Sequence, residues 1–306
     1  ALSKSRGEFP LCSKTDYADG KIPVSGYYEK PKQEQYYDWD ALIEKIQKHG
    51  IRNVLTTTVA PTGTLSMLAD CSNGMEPNFA LVFEKRVTVG RFFYTNKIFE
   101  QVLKENNLYS EELLAKVADN YGSVKGIPEI PDWIQNIFVT AMDIHWSDHV
   151  FAQGVWQDWI GNAISKTINM PHDVSVDDVK ASYLLAHEMG LKGITVYRDG
   201  SRHKQVLHMT SEDAEKNFEV KPSDYVTNYI SNSIKNEYVK SQINNALSAI
   251  KLEDSRKIAQ TVVEEESEET LCPVCKNKLI FAEGCNICID CCLLYTSDAA
   301  DDTPCV

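Results

Sequence analysis

The sequence lacks three features that would each assign it to a class. No apolar run approaches the ~20 residues needed to cross a bilayer. The opening, ALSKSRGEFPLCSK, has neither the apolar core nor the small-residue cleavage site of a signal peptide. Basic residues are scarce, because 31 Lys and Arg stand against 44 Asp and Glu and give a formal net charge of −13. Nucleic-acid backbones require a basic surface. We therefore expect a cytoplasmic protein that binds neither membranes nor nucleic acid.

Cysteine is nearly absent from the first 270 residues, which contain only Cys12 and Cys71. The other seven of the nine cysteines lie between 272 and 305. This distribution excludes a disulfide framework through the main body and predicts a metal-binding or redox module in a reducing compartment. Cys12 and Cys71 are interpreted as small buried or partly buried residues. Cys71 is also near enough to the bend described below to line a pocket there.

The apolar patterning predicts an α/β chain. Helical spacing occurs at 39–49, within 96–119, at 148–164 and at 175–190, and β-branched runs predict strands at 53–59, 79–89, 165–169 and 193–197. Ser175 and Asp178 form a capping box that starts the best-defined helix, and Gly190 ends it. Because strands and helices alternate, we expect parallel strands. The opening stretch to about Tyr37 contains several Gly and Pro residues and is interpreted as a surface connection.

A bend with the sequence APTGTLS follows the predicted strand at 53–59. A proline and a glycine force the turn, and the next residues can begin a helix. Free backbone N–H groups at such a point, together with three hydroxyl side chains, suit a phosphate group. The alternative is an ordinary helix cap, which spacing alone favours. The candidate phosphate-binding residues are Pro61, Thr62, Gly63, Thr64, Leu65 and Ser66.

Two histidines at helical spacing, His145 and His149, resemble half of a metal site. A metal site needs further ligands, and no third partner with suitable spacing accompanies them. We therefore interpret them as residues of a helix start, a surface or a packed interior.

The composition changes after about residue 208. Residues 209–270 are rich in Asn, Ser, Lys and Glu, and we expect a flexible linker that is partly helical, at 235–251, or disordered. Residues 271–291 form a separate cysteine module with two Cys-x-x-Cys pairs, the spacing of a zinc ribbon. Its predicted zinc ligands are Cys272, Cys275, Cys288 and Cys291, with Cys285 as an alternative ligand.

The last segment, 292–306, has a different origin. The string CLLYTSDAADD resembles the conceptual translation of a common sequencing adapter. We predict that these residues are an assembly artefact without function, which sequencing the gene across the junction would test.

Two long strings give the chain a family resemblance. RNVLTTTVAPTGTLSMLADCSNGMEPNFALVFEKRV and SKTINMPHDVSVDDVKASYLLAHEMGLKGITVYRDGSR resemble ribonucleotide reductases of the cobalamin-dependent branch, and with SRGEFP the likeness covers roughly residues 3–208. The resemblance implies that residues 1–208 form the C-terminal part of a ten-stranded α/β barrel. It implies that the bend holds the substrate diphosphate. It also places SNGMEP beside the active site through Asn73, Gly74, Glu76 and Pro77.

The radical route distinguishes the branches of that family. Large subunits of the metal-cofactor branch resemble this chain around 192–198 but carry two adjacent tyrosines that relay a radical. Here Thr195 and Val196 stand at those positions. Neither side chain is oxidised at an accessible potential, so a relay through them is not expected. The resemblance therefore implies adenosylcobalamin, which generates its radical locally.

The function that the resemblance implies is reduction of ribonucleoside diphosphates to 2′-deoxyribonucleotides, for DNA synthesis, with a thioredoxin-like reductant. The family's radical cysteine should precede residue 1, and the chain has no initiator Met, so we expect an inactive fragment without a catalytic residue. A homodimer is compatible with this interpretation. The terminal cysteines then have a second interpretation as mobile redox thiols. The alternatives are a large subunit of the metal-cofactor branch and a non-catalytic nucleotide-sensing regulator with a zinc ribbon.

Overall fold

The computed structural model describes residues 2–31, 36–69, 71–87, 90–199, 201 and 220–248, with three short strands beyond them. The helices are α1 Leu2–Arg6, α2 Ser25–Glu29, α3 Trp39–His49, α4 Gly63–Ala69, α5 Lys97–Glu105, α6 Glu111–Asp119, α7 Asp132–Ile137, α8 Trp146–Gln157, α9 Val176–Glu188, α10 Asp224–Ser233 and α11 Glu237–Ser248. The strands are β1 Val82–Val87, β2 Gly90–Thr95, β3 Thr167–Met170, β4 Thr195–Arg198, β5 Ile280–Ala282, β6 Cys285–Ile287 and β7 Leu294–Thr296. Within these ranges, no helix has both the length and the apolar character to cross a membrane.

The unit β3–α9–β4 confirms the predicted strand, helix and parallel strand. β3 and β4 pair in parallel, with Thr167 opposite Thr195. The capping box at the start of α9 is present as predicted, since Ser175 Oγ accepts from the amide of Asp178 and the Asp178 carboxylate accepts from the amide of Ser175. Ile168 of β3 and Leu185 of α9 are fully buried in one hydrophobic cluster. Packing of the helix on the strands therefore stabilises this part of the chain.

Helices α10 and α11 belong to the same cluster. Val226, Ile230 and Ile243 are at most 1% exposed. α11 corresponds to the helix expected at 235–251. The segment 220–248, which the composition placed in a linker, is therefore packed, because its few large apolar residues recur at helical spacing and bury one face of each helix. The rest of 209–270 lies outside the described residues.

A second cluster forms around the hairpin β1–β2 and helices α5 and α6. The two helices expected within 96–119 are confirmed, with Asn96 and Ser110 as their N-caps. The strand expected at 79–89 is present as β1. Its partner β2 was not predicted. The sequence of β2 begins with Gly90 and lacks the alternation of apolar and polar residues that identifies a half-buried strand.

The strand expected at 53–59 is reduced to one parallel bridge between Val59 and Ile164. Residues 162–165 are joined to 57–59 by two backbone hydrogen bonds, from Asn162 N to Thr57 O and from Ser165 N to Val59 O. A regular strand requires a continuous ladder. The contact with 161–165 provides only a short ladder, so residues 53–59 do not form a regular strand.

The helix expected over 148–164 was wrong at its C-terminal end. α8 ends at Gln157 and its side-chain amide donates to the carbonyl oxygens of Ile160 and Asn162. These bonds fold the chain back toward 57–59. The predicted apolar stripe is also not wholly buried within the helix, since Val155 of α8 is 46% exposed.

The opening stretch forms a third cluster instead of a surface connection. Phe9, Cys12 and Tyr17 are buried there, and Trp39 and Ile43 of α3 pack against them. Five aromatic or apolar side chains of the stretch bury each other in spite of its glycines and prolines, which shape the turns between them. Cys12 is buried as predicted, whereas Cys71 is exposed.

The terminal strands β5, β6 and β7 form a three-stranded antiparallel sheet. The four predicted zinc ligands lie outside the described residues. Of Cys285 only the backbone, at the start of β6, is described. β7 falls within 292–306, and the other residues of that segment lie outside the described part.

Candidate substrate site

The bend predicted to hold phosphate lies on the surface of the described structure. Pro61 and Gly63 are exposed, and Leu65 is 64% exposed. α4 begins at Gly63 and has only seven residues. Thr62, just before it, has a φ of 50°, a left-handed conformation that β-branched residues rarely adopt. The backbone is therefore held in an unusual conformation at this point.

Ser66 has both of its donor groups engaged within the bend. Its amide donates to Thr62 O over 2.8 Å, and its hydroxyl donates to Gly63 O over 2.7 Å. The amides that open a helix have no partner within it. The amides of Gly63, Thr64 and Leu65 at the start of α4 therefore have no partner within the helix, while Ser66 Oγ must rotate before it can donate to an anion.

The second predicted group lies against the bend. Asn73 Nδ2 donates to Pro61 O over 3.2 Å, and the Glu76 amide donates to Asn73 O over 3.0 Å. Gly74 has a φ of 49°, and a Cβ there would lie 3.3 Å from Ala60 O. The structure thus brings the segment 73–76 into contact with the bend, where the glycine permits both the turn and the close approach.

Glu76 is anchored to the start of β3. Its Oε2 lies 2.9 Å from Lys166 Nζ, and its Oε1 accepts from the Thr167 amide over 2.5 Å. The Lys166 side chain is 2% exposed and that of Glu76 is 16% exposed. Burial lowers the pKa of Lys166, while the negative charge of Glu76 and its hydrogen bond act in the opposite direction. The pair joins the bend region to the core of the parallel strands.

His149 of α8 is the third member of this network. Its Nδ1 lies 2.9 Å from Lys166 Nζ, and its Nε2 lies 2.9 Å from Ala141 O. Because the carbonyl oxygen can only accept, Nε2 carries the proton and Nδ1 accepts from Lys166. Burial, and then the nearby ammonium, lower the pKa of His149 to about 3. The histidine is therefore neutral at physiological pH.

A separate buried carboxylate, Asp143, stabilises the neighbouring turn. It accepts from Ser123 Oγ over 2.8 Å and from the amide and hydroxyl of Thr140 over 2.8 and 2.7 Å. All these contacts are within the protein, and they fix the turn that carries Ala141. Asp143 thus stabilises the turn whose Ala141 carbonyl oxygen pairs with His149.

Sequence reasoning found the bend and Glu76 but missed Lys166. The only signal for it was a lysine in SKTINM next to a run that becomes a buried strand. The interpretation of His149 as a packing residue is confirmed, since it is 1% exposed, and His145 caps the start of α8. Within the described ranges, no group of three or more His, Cys, Asp or Glu residues could hold a metal ion.

Comparison with known proteins places this arrangement in a family. Residues 1–197 match the family described as ribonucleotide reductase, barrel domain. A vitamin B12-dependent ribonucleoside-diphosphate reductase of Thermoplasma acidophilum is 40% identical over 184 residues, which cover 59% of this chain and 24% of that protein. The protein of the same name from Mycobacterium tuberculosis is 40% identical over 156 residues, covering 51% and 22%.

A vitamin B12-dependent ribonucleotide reductase of Rhodopirellula baltica is 34% identical over 186 residues, which cover 57% of this chain and 18% of that protein. The solved alpha subunit of an Actinobacillus ureae class Id ribonucleotide reductase aligns with a TM-score of 0.43 and 24% identity, covering 51% of this chain and 29% of that chain. The chain thus spans about a quarter or less of the length of these curated relatives. Because the family match covers most of its residues, the chain belongs to the ribonucleotide reductase barrel-domain family.

Proposed function

We propose that this chain supplies part of the substrate site of an adenosylcobalamin-dependent ribonucleoside-diphosphate reductase, which converts ribonucleotides to 2′-deoxyribonucleotides by thiyl-radical chemistry. The observation that carries the proposal is the 40% identity over 184 residues to a protein named vitamin B12-dependent ribonucleoside-diphosphate reductase. The family match over residues 1–197 includes the bend and the residues that contact it. The product would serve DNA synthesis.

The role proposed for Pro61–Ser66 is to bind the diphosphate of the substrate. The exposed bend offers backbone amides and hydroxyl groups, which are the donors that phosphate oxygens accept from. α4 is too short for its dipole to add much, so the amides and hydroxyls carry the proposal. Asn73, Gly74, Glu76 and Pro77 would support the bend from the active-site side.

The parallel pairing of β3 with β4, and the parallel bridge at Val59, support the proposal that residues 1–208 are the C-terminal part of a ten-stranded α/β barrel. Such a barrel places the ends of its strands around one opening. The bend follows the 57–59 segment, so the proposal puts it at that opening.

The cofactor assignment depends on β4. Thr195 is exposed on this strand and Val196 packs against the hydrophobic cluster of α8 and α9. Side chains of these two types do not carry a radical, which fits a radical formed close to the substrate. Adenosylcobalamin, when bound, supplies such a radical by homolysis of its cobalt–carbon bond. We assign no described residue to holding it; the proposed roles of the bend and of the segment 73–77 are to bind and orient the substrate.

For the cysteine module we propose zinc at Cys272 and Cys275. Cys285, Cys288 and Cys291 would either complete that site or act as mobile thiols that pass electrons from a thioredoxin-like reductant. Zinc content and free thiols, measured on the 306-residue chain before and after a chelator, separate the two. Four further thiols that become reactive only when the chelator removes one zinc support the ribbon, whereas reaction of Cys285, Cys288 and Cys291 before the chelator is added supports electron delivery.

The activity is tested with the protein encoded by the complete reading frame that contains residues 1–291. Reduction of a ribonucleoside diphosphate is measured with a dithiol reductant, with and without adenosylcobalamin. We expect turnover only with the cofactor. Turnover without it, on addition of a diiron radical-generating subunit, would instead assign the chain to the metal-cofactor branch. Binding of nucleotide without turnover under either condition would favour a nucleotide-sensing regulator.

A further inference from the structure

The chain on both sides of the proposed phosphate bend, at Val59 and at Glu76, is attached to one short segment, 164–167. On the first side, Val59 pairs with Ile164 and its carbonyl oxygen accepts from the Ser165 amide over 2.9 Å. On the second side, Glu76 is bonded to Lys166 and Thr167. Val59 and Glu76, which lie on either side of the bend and α4, are therefore held at consecutive positions of one partly buried segment, which closes the stretch between them.

Lys166 is the buried member of this closure and has no proton left for a ligand. An ammonium group has three protons. Its acceptors are Glu76 Oε2 and His149 Nδ1, each at 2.9 Å, and Thr167 O at 3.1 Å. The Lys166 side chain that carries the amine is 2% exposed. A fully bonded, buried ammonium cannot contact substrate, but it can fix the group to which it is paired.

The path from Lys166 to the bend is a series of hydrogen bonds. Lys166 holds the Glu76 side chain, the Glu76 amide donates to Asn73 O, and Asn73 Nδ2 donates to Pro61 O. On the far side, the Ala141 amide donates to Asn78 O while Ala141 O pairs with His149. The segment 73–78 is thus held between the start of β3 and the turn at Ala141, which His149 of α8 also contacts.

We propose that Lys166 is a positioning residue for the substrate: its buried pair with Glu76 presses the Asn73 turn against Pro61 and so sets the affinity of the bend for the phosphate groups of a nucleoside diphosphate. This inference rests on the proposed function of the bend. Without the pair, Lys166 no longer holds the Glu76 side chain, and the contact of Asn73 with Pro61 O is less firmly fixed. The amides of the bend then no longer hold one arrangement. Binding must order them, and the lost conformational entropy lowers the affinity for the ligand.

The test uses the 306-residue chain and inorganic pyrophosphate as the probe, measured by titration calorimetry. The main variant is Lys166→Met/Glu76→Met, which removes both charges and leaves no unpaired charge in the interior. We expect its Kd for pyrophosphate to rise by about tenfold or more, because the ligand must then order the amides of the bend when it binds. The control is Leu103→Ala, which destabilises the remote cluster around α5 and should leave the Kd unchanged.

A second pair of variants decides the question if the double variant does not fold by circular dichroism. Glu76→Asp keeps the charge and both carboxylate oxygens but is one methylene shorter and cannot reach both Lys166 and Thr167. Glu76→Gln keeps the length but removes the charge and leaves one acceptor oxygen for these two donors. We expect both variants to bind pyrophosphate more weakly than the wild-type chain, and wild-type affinity in both would overturn the role of the pair.

The outcomes separate this inference from the function on which it rests. An unchanged Kd in folded Lys166→Met/Glu76→Met, with pyrophosphate bound by the wild-type chain, overturns the positioning role alone. Equal weakening by Leu103→Ala also overturns it, since affinity would then follow overall stability. Absence of pyrophosphate binding by the wild-type chain overturns the proposed phosphate bend itself, and the inference with it.

Discussion

Gln153 donates through its side-chain amide to Gly193 O over 2.8 Å. The same nitrogen lies 3.2 Å from Ile164 O. Gln153 is fully buried on α8, and the two carbonyl groups stand just before β4 and β3. One side chain thus fixes the point at which the two parallel strands begin.

The first prediction concerns this glutamine. Gln153→Met keeps the volume but removes the donor to the carbonyl groups of buried Ile164 and of Gly193, so we expect a loss of about 1–3 kcal/mol in the free energy of unfolding. Urea denaturation of the 306-residue chain measures it. The matched control is Gln101→Met, because Gln101 is exposed on α5. Equal losses in the two variants would show that Gln153 does not fix the strands.

The second prediction concerns the start of α9. Ser175→Ala removes the side-chain acceptor for the Asp178 amide, and we expect a loss of about 1 kcal/mol. Ser241→Ala, within α11, removes only an exposed hydroxyl that bonds to Tyr238 O and should have a much smaller effect. Thermal unfolding of both variants provides the comparison. A Ser175→Ala variant as stable as the wild type would mean that the cap is not formed in solution.

The third prediction is a pH dependence from His149. The pKa in the folded chain is about 3, below the ordinary 6.5, so the unfolded state binds the extra proton first as the pH falls. The stability that the neutral histidine provides is therefore complete above pH 6.5 and is lost progressively toward pH 3. Between pH 6.5 and 5 the loss from this group is about 2 kcal/mol.

His149→Gln tests that dependence, because glutamine has both a donor and an acceptor but does not titrate. We expect its unfolding free energy to vary less between pH 6.5 and 5 than that of the wild-type chain. His187→Gln, at an exposed position of α9, should retain the wild-type slope. Identical slopes in all three proteins would show that His149 is not the group responsible.

The fourth prediction concerns Thr62, whose φ of 50° is unfavourable for a β-branched residue. Thr62→Gly relieves this strain but gives the bend more freedom when no ligand is bound. We expect unchanged or higher thermal stability together with weaker pyrophosphate binding, measured by calorimetry. Asn107→Gly, at another left-handed position between α5 and α6, is the control and should not alter binding. Tighter binding by Thr62→Gly would contradict the proposal that this conformation prepares the bend for phosphate.

Local sequence patterns predicted the elements that depend on local interactions. The capping box at Ser175 and Asp178, the cap at Ser110 and the apolar face of α3 were all recognisable, because each requires only residues a few positions apart. The sequence predictions failed where the formation of an element depends on residues far away in the sequence. The strand at 53–59 depends on what 161–165 offers, and β2 depends on its pairing with β1.

For the candidate site, the sequence by itself determined the family, the bend at Pro61–Ser66 and the turn at Asn73–Glu76, since a long run of consecutive residue types carries that information. Only the tertiary structure decided that Lys166, 90 positions from Glu76, lies 2.9 Å from its carboxylate and against His149. The physical reason is that a buried charge is stable only with partners. Folding brings those partners together from α8, the start of β3 and the turn after the bend. A local sequence pattern does not contain the information that these three segments are in contact.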